Sequence, residues 1–517
     1  MRIITTENLS YHMREAPADL KLWVYNCFDV MSPHEILRKV GCKMSPNQKI
    51  VYDFTRSLQG PALSMMLNGV LTDQEYLLEV LAEWKKKYEE LGRYVTQLSL
   101  AVWGEDINVN SHTQMKELFY YDENGFKFKP RYTGSGQKRR VTTERKALEA
   151  LAKEHYYARP IIYPILALKD AGKTIEFLER GAESSGRVHC SFNICGAESG
   201  RWSSSHNPWG RGGNFQNQSE SIRRIYIADP EYIFAYVDLA QAEARGVAYY
   251  SGDKAYIQAV ESGDVHTQVA KLVWSELDWA GDNGPADRSI AERIFYRHYT
   301  YRDLAKKGSH GSNYGGLASV MGKNLNIPED RAEEFQHRYF RAFPGIRQWH
   351  LRVQEELQSS GQLTTALGRE RTFFGRLDSR DTLKEALAQQ PQSLISDIIK
   401  IGLLRVWKEF EVIQKKLMCC ADMHDGQLYL IRTIYLDEVA PEIKRMHTIP
   451  VRFPSGIMTI PVDFTVGYRW QKQKKGKPFD PTAMVDWEPG VLSRLKRPDR
   501  AESLLDVEAS LVVKEAR

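Results

Sequence analysis

Apolar and polar positions along this chain fall into helical and strand-like patterns that change several times. From Thr72 the pattern is helical: Leu77, Leu81, Trp84, Tyr88, Leu91, Val95 and Leu98 recur at alternating steps of four and three, one buried stripe on a long amphipathic helix. Thr72 and Glu75 have the spacing of a capping box at its start. Ahead of it, residues 1–45 hold a short helical segment, SPHEILRKV, after WVYNCFDV. Residues 186–255 read as strands and turns leading to a helix, and YIFAYVDL (232–239) is an apolar, β-prone run that ends in an acid. Helical patterns dominate 255–360. QLTTALGRERTFFG (362–375) reads as extended or hairpin, and another helix covers about 381–410. LMCCADMHDGQLYLI (417–431) reads as two apolar strands around a turn at His424-Asp425-Gly426, and TIPVDFTVGYRW carries a last strand that ends near Trp470. There is no internal repeat. The order helices, strands, helices, strands predicts an α+β fold whose two acidic strand ends flank a helical insertion.

Composition narrows the class only a little. A chain of 517 residues suggests two to four domains at roughly 100–200 residues each. Hydrophobic residues at 42% and charged residues at 26% are ordinary for a globular protein, and a net charge of +5 is too mild to name a partner. Its distribution says more. KFKPRYTGSGQKRR (127–140) holds six basic residues, two aromatics and no acid around a flexible Gly-Ser-Gly, which suits phosphate contacts along a duplex as well as it suits a solvated loop. The six cysteines show neither a disulfide framework nor metal-ligand spacing, so they read as reduced and the compartment as cytoplasmic. No apolar run approaches the roughly 18 residues needed to cross a bilayer, so no membrane partner is expected, and the first residues lack a signal-peptide core.

Two acids stand where chemistry is possible. Asp238 closes a strand that should be buried, where an unpaired carboxylate is costly unless it meets a partner or a metal. Asp425 sits at the tip of an apolar hairpin. Each alone fits capping or turn chemistry. Brought together, they repel unless cations lie between them, and hard carboxylate oxygens select Mg²⁺, which keeps waters and takes phosphate oxygens as further ligands. Two such ions about 4 Å apart can activate a hydroxyl and stabilise a leaving phosphate. In YRDLAKKGSHGSNYGG (301–316), Arg302, Lys306, His310 and Tyr314 stand four apart, a slowly winding ribbon on one side of a helix. The cations there suit a polyphosphate and the rings suit a base. Gly308, Gly311, Gly315 and Gly316 argue against a simple helix and for close approach or a bend.

These stretches resemble the polymerase region of DNA polymerase I-type enzymes, the A family, and nearer to its phage branch. VDLAQAEAR (237–245) is similar to the family's first motif, RDLAKKGSHGSNYG to the fingers helix, and DMHDGQLYL to the His-Asp-Glu motif of the palm. SGRWSSSHNPWGRGGNFQNQ (199–218), INVNSHTQ (107–114), RYFRAFPGIRQW (338–349) and the Gln-x-x-x-x-Asp-Ile-Ile-Lys of 392–400 also match, so the similarity covers about residues 50–470. The resemblance implies a right-hand fold: thumb 51–185, palm 186–255 and 381–470, fingers 256–380, a remnant of an exonuclease-like region in 1–50, and a tail at 471–517. It implies primer-template DNA and deoxynucleoside triphosphates as partners, with two Mg²⁺ held by Asp238, Asp425 and the Leu239 carbonyl, Mn²⁺ being a possible substitute. Arg302, Lys306 and His266 would neutralise the triphosphate, Gln241 would line its pocket, Glu243 would exclude a 2′-hydroxyl, Tyr314 would stack near the templating position, and His310 would stack on a base. Arg201, Asn214, Gln392 and His424 would touch the primer-template, and Lys138, Arg139 and Arg140 would form the thumb tip.

The chain departs from the family pattern at several points. Gly426 replaces the glutamate after His-Asp, His310 stands where the family has Phe or Tyr, and Leu239-Ala240 replace Tyr-Ser. The segment between Arg201 and Asn214 is longer than usual. Tyr25 and Asp29 match only the third motif of the family's exonuclease, so no intrinsic proofreading is expected, and a processivity factor or separate exonuclease subunit is a possible partner. The resemblance implies replication of phage or plasmid type, in the host cytoplasm if viral. A single-subunit RNA polymerase would share the Asp, Arg-x-x-x-Lys and His-Asp skeleton, but Glu243 within Gln-x-Glu argues against it. A non-catalytic DNA-binding replisome component would need neither aspartate.

Overall fold

The structure is a computed structural model, and it describes residues 17–134, 139–182, 186–207, 210, 212–474 and 476–498. Its centre is a five-stranded antiparallel sheet. Strand β1 (Tyr232–Leu239) lies in the middle, because its run of aromatic and aliphatic residues is buried almost throughout. On one side it pairs with β3 (Gly426–Arg432), and β3 pairs with β2 (Leu417–Asp422). On the other side it pairs with β4 (Val462–Gly467), which carries the short β5 (Val485–Asp486). The expected strands at 232–239 and 417–431 are therefore present, and the tight turn between β2 and β3 sits at His424-Asp425.

One long helix, Arg380–Val406, packs on this sheet and on the short helix Ala242–Ser251. Gly246 lets the two helices close up: a Cβ there would stand 3.2 Å from the ring of Pro391. The helix Gln59–Asn68 also packs on β2, with Asn68 Nδ2 donating to the Cys419 carbonyl at 2.9 Å. A second core lies apart from the sheet. It gathers Val95, Trp103, Phe119, Leu148, Ile162 and Ile165 between the long helices Gln74–Trp103 and Arg159–Ala182.

The first of these helices begins differently from the expectation. Asp73, not Thr72, is its N-cap, accepting from the Tyr76 amide at 3.0 Å, while Thr72 Oγ1 donates to the Gly186 carbonyl. Burial decides the choice: Thr72 is drawn into a bridge with Tyr226, so its hydroxyl is used across the fold rather than along the helix. The apolar stripe is as expected, with Leu77, Leu81 and Val95 buried and Trp84, Tyr88, Leu91 and Leu98 partly buried against the two cores.

Three further expectations change. The short segment near residue 33 is part of a 24-residue helix, Ala18–Gly41. Residues 301–313 form a regular helix despite their glycines, because Gly308 is where Phe335 packs: a Cβ there would fall 2.4 Å from the ring. The described part of the tail, 471–474 and 476–498, docks on the sheet, adding β5 and burying Met484, Val491 and Leu495. No described helix is long and apolar enough to cross a membrane.

Candidate active site

The sheet register brings the two acids together. Gly426 pairs with Asp238 across the β1–β3 ladder, and the Leu239 amide donates to the Asp425 carbonyl at 3.2 Å. Asp425 projects from a turn in which His424 takes a left-handed φ of +67°, and Gln241, three residues after Asp238, has φ +55°. Non-glycine residues in this region store strain that surrounding structure must hold, and both flank the acids.

The two carboxyls share a cavity of about 580 Å³ with Leu239, Gln241, Glu243, His266, Lys306, His310 and Tyr314. The helix α1 (Tyr301–Asn313) supplies the opposite wall. A reciprocal cap starts it: Thr300 Oγ1 accepts from the Asp303 amide, and Asp303 accepts from the Thr300 amide. Leu304, Ala305, Gly308 and Ser312 bury one face, which leaves Lys306 and His310 exposed toward the cavity. A larger cleft, about 960 Å³, lies in the second core's lobe between Lys85 and Lys169, far in sequence from these acids and lined by mixed charges.

Charge in the site is unevenly balanced. Burial pushes the Asp238 carboxyl up to about 6, aided by Asp425 and Asp463 and opposed by Lys472 and Arg223. Burial also raises Asp425, against the pull of Arg201. Arg201 bridges the site, with one nitrogen 3.0 Å from Glu243 and 3.2 Å from Asp425. Glu243 is the hub of this wall: its second oxygen accepts from the Tyr314 hydroxyl at 3.3 Å and lies 3.5 Å from His310 Nδ1. Three polar atoms here, Arg201 Nε, Gln241 Oε1 and His424 Nδ1, are buried with no partner among the described residues, as befits a site completed by a polar ligand.

Other expected residues stand further out. Arg302 does not line the cavity; it forms an ion pair with Asp264 at 2.9 Å, and Asp264 also caps the helix Val265–Val273 that carries His266. Burial, with Arg302 and Lys306 nearby, holds His266 down at about 4. His266 is therefore neutral, and the expectation that it adds positive charge becomes one of hydrogen bonding. Asn214 is exposed and accepts from Ser204 Oγ at 2.8 Å, and half-buried Gln392 lies on the helix Arg380–Val406. Arg139 stacks 4.2 Å over Tyr132, Arg140 pairs with Thr133 in a short hairpin, and Lys138 lies outside the described residues. Tyr25 and Asp29 are exposed on the helix Ala18–Gly41.

Sequence reasoning missed two features. Asp463 lies opposite Asp238 in the β1–β4 register, on the far side from Gly426, and Lys472 reaches the same place from the tail. The acid in the middle of TIPVDFTVGYRW was the available signal. Beneath the turn, Lys400 and Asp422 form a fully buried ion pair, and Asp422 also accepts from Gln216 at 3.0 Å and Gln427 at 2.6 Å. Lys400 stacks 4.6 Å from the Trp202 ring. This network ties four segments to the base of the Asp425 turn.

The family model for DNA polymerase family A matches residues 74–472. Among curated relatives, DNA polymerase I of Helicobacter pylori is 26% identical over 450 residues, 83% of this chain and 45% of that protein. The thermostable DNA polymerase I of Thermus aquaticus is 27% identical over 388 residues, 72% of this chain and 42% of that protein. The chain thus spans less than half the length of these bacterial relatives. Among solved structures, the POL domain of Pol1 from M. smegmatis, in complex with DNA primer-template and dNTP, superposes with a TM-score of 0.64 at 23% identity, covering 80% of this chain and 69% of that one. That likeness speaks for the right-hand fold.

Proposed function

This chain belongs to DNA polymerase family A, and from that premise we propose that it is a template-directed DNA polymerase adding deoxynucleotides to a primer 3′-hydroxyl. One observation carries the reading: Asp238 and Asp425 meet in a single cavity walled by Lys306, His310 and Tyr314. The sheet is the palm, with residues 186–255 and 381–470; the fingers are 256–380 and the thumb 51–185.

Asp238, Asp425 and the Leu239 carbonyl would hold two Mg²⁺, or Mn²⁺ in their place. When bound, such ions supply Lewis-acid stabilisation of the transferring phosphate and acidify the attacking hydroxyl. The donors fit: they are hard oxygens on one side of a shared cavity, which suits an ion that keeps water and phosphate ligands. Lys306 neutralises the triphosphate, neutral His266 donates a hydrogen bond to it, and Arg302 joins them when the phosphate draws it from Asp264. Gln241 orients the same group. Arg201 balances Asp425 and Glu243 and, with Gln392, contacts the minor-groove edge of the primer-template, where acceptors are similar for every base pair. His424 and Asn214 flank the primer strand, and Arg139 and Arg140 contact backbone phosphates from the thumb.

Glu243 is the sugar gate, held upright by Tyr314 and Arg201. Glu243→Ala is expected to raise ribonucleotide incorporation relative to deoxynucleotide by about 10-fold or more, since a steric and polar block worth over 1.4 kcal/mol is removed. Single-nucleotide kcat/KM for matched dNTP and rNTP measures it, and unchanged discrimination rejects the gate.

The decisive assay is primer extension with Mg²⁺ and four deoxynucleotides. The chain should extend the primer and Asp425→Asn should not. Without nucleotides, the chain should leave a mismatched primer undegraded, because Tyr25 and Asp29 stand exposed rather than in a cavity. Absence of extension by the unsubstituted chain refutes the polymerase reading.

A further inference from the structure

Gly426 directly follows Asp425 and occupies the position where the resembled family has glutamate. It pairs with Asp238 in the ladder, so a side chain there would rise on the same face as the Asp238 carboxyl. No side chain fits. A Cβ on Gly426 would stand 2.4 Å from the Tyr236 hydroxyl oxygen, 2.7 Å from its Cζ and 2.7 Å from the Val237 carbonyl oxygen. Tyr236 is two residues before Asp238 on β1 and therefore shares that face. Its hydroxyl fills the space that the absent side chain would enter.

The ring is held firmly and the hydroxyl is left free. Leu428 and Thr465 flank Tyr236 in register, the residue is 9% exposed, and the Lys472 ammonium lies 5.7 Å from the ring centroid. No hydrogen bond to the hydroxyl forms among the described residues.

Tyr236 also lines a second cavity, about 600 Å³, with Asp463, Thr465 and Lys472. The two cavities have one lining residue in common, Asp238. If the triphosphate occupies the cavity beside Lys306, the strand end that attacks it approaches Asp238 from the other.

Resting on the polymerase reading, we infer that Tyr236 is a positioning residue for the primer terminus: its hydroxyl, standing where a side chain on Gly426 would be, hydrogen-bonds the terminal sugar beside Asp238. Tyr236→Phe removes only the hydroxyl and keeps the ring. In single-nucleotide extension it should lower kcat about 3–10-fold, the loss of one neutral hydrogen bond made at the transition state, with KM for the nucleotide and the melting temperature unchanged. An unchanged kcat overturns the inference, as does a fall in kcat that comes with a lower melting temperature or a higher KM. These results are read only against an unsubstituted chain that extends the primer; its failure to do so overturns the polymerase reading instead.

Discussion

Asp238→Asn is expected to cut primer extension by about 10³-fold or more while making the metal-free chain more stable. The two effects share a cause. Burial beside Asp425 and Asp463 raises the Asp238 carboxyl from 3.8 to about 6. The native state then holds its proton longer than the unfolded chain does, so stability falls as pH rises from about 4 to about 6, and the full cost remains above that. Asparagine removes the cost. At pH 7.5 with chelator, the variant should melt about 1–4 °C higher than the parent, and near pH 4 the difference should vanish. In the parent, metal binding needs the ionised carboxylate, so extension should decline as pH falls through about 6. Thermal melts at the two pH values and a pH–rate profile measure this. A variant that melts lower at pH 7.5, or that extends primers normally, defeats the assignment.

Lys400→Met should be the most destabilising single change near the site. Lys400 and Asp422 are both almost fully buried, so losing the ammonium leaves a buried carboxylate whose remaining partners are the Gln216 and Gln427 amides. Breaking a buried pair in this way costs about 3–5 kcal/mol. Asp422 ends β2 three residues before Asp425, so the turn should loosen and extension should fall even where the chain remains folded. The double variant Lys400→Met/Asp422→Leu should recover much of the stability, because no unpaired charge remains. Denaturant unfolding of the single and double variants gives the coupling. A single variant within 1 kcal/mol of the parent would mean that the pair contributes little.

Much of the fold was legible because local rules and burial agree. The aromatic and β-branched run at 232–239 can only be a buried strand, and it is the central one. The apolar halves of 417–431 pair around the expected tip. Where a residue has two uses, local reading went astray. Thr72 could cap a helix or bridge to Tyr226, and the bridge prevailed. The glycines of 301–316 could mark a bend, yet Gly308 serves Phe335 on another helix.

The sequence by itself set which residues are proposed for the chemistry: two acids at strand ends and a cationic helix follow from residue type and spacing, and the glutamate gate from the resemblance to the family. Only the tertiary structure decided how they are charged and who neighbours whom. Cross-strand register put Asp463 beside Asp238 and Tyr236 over Gly426. Burial made His266 neutral and raised Asp238. The register depends on contacts between segments more than 180 residues apart in the chain, which no local pattern encodes.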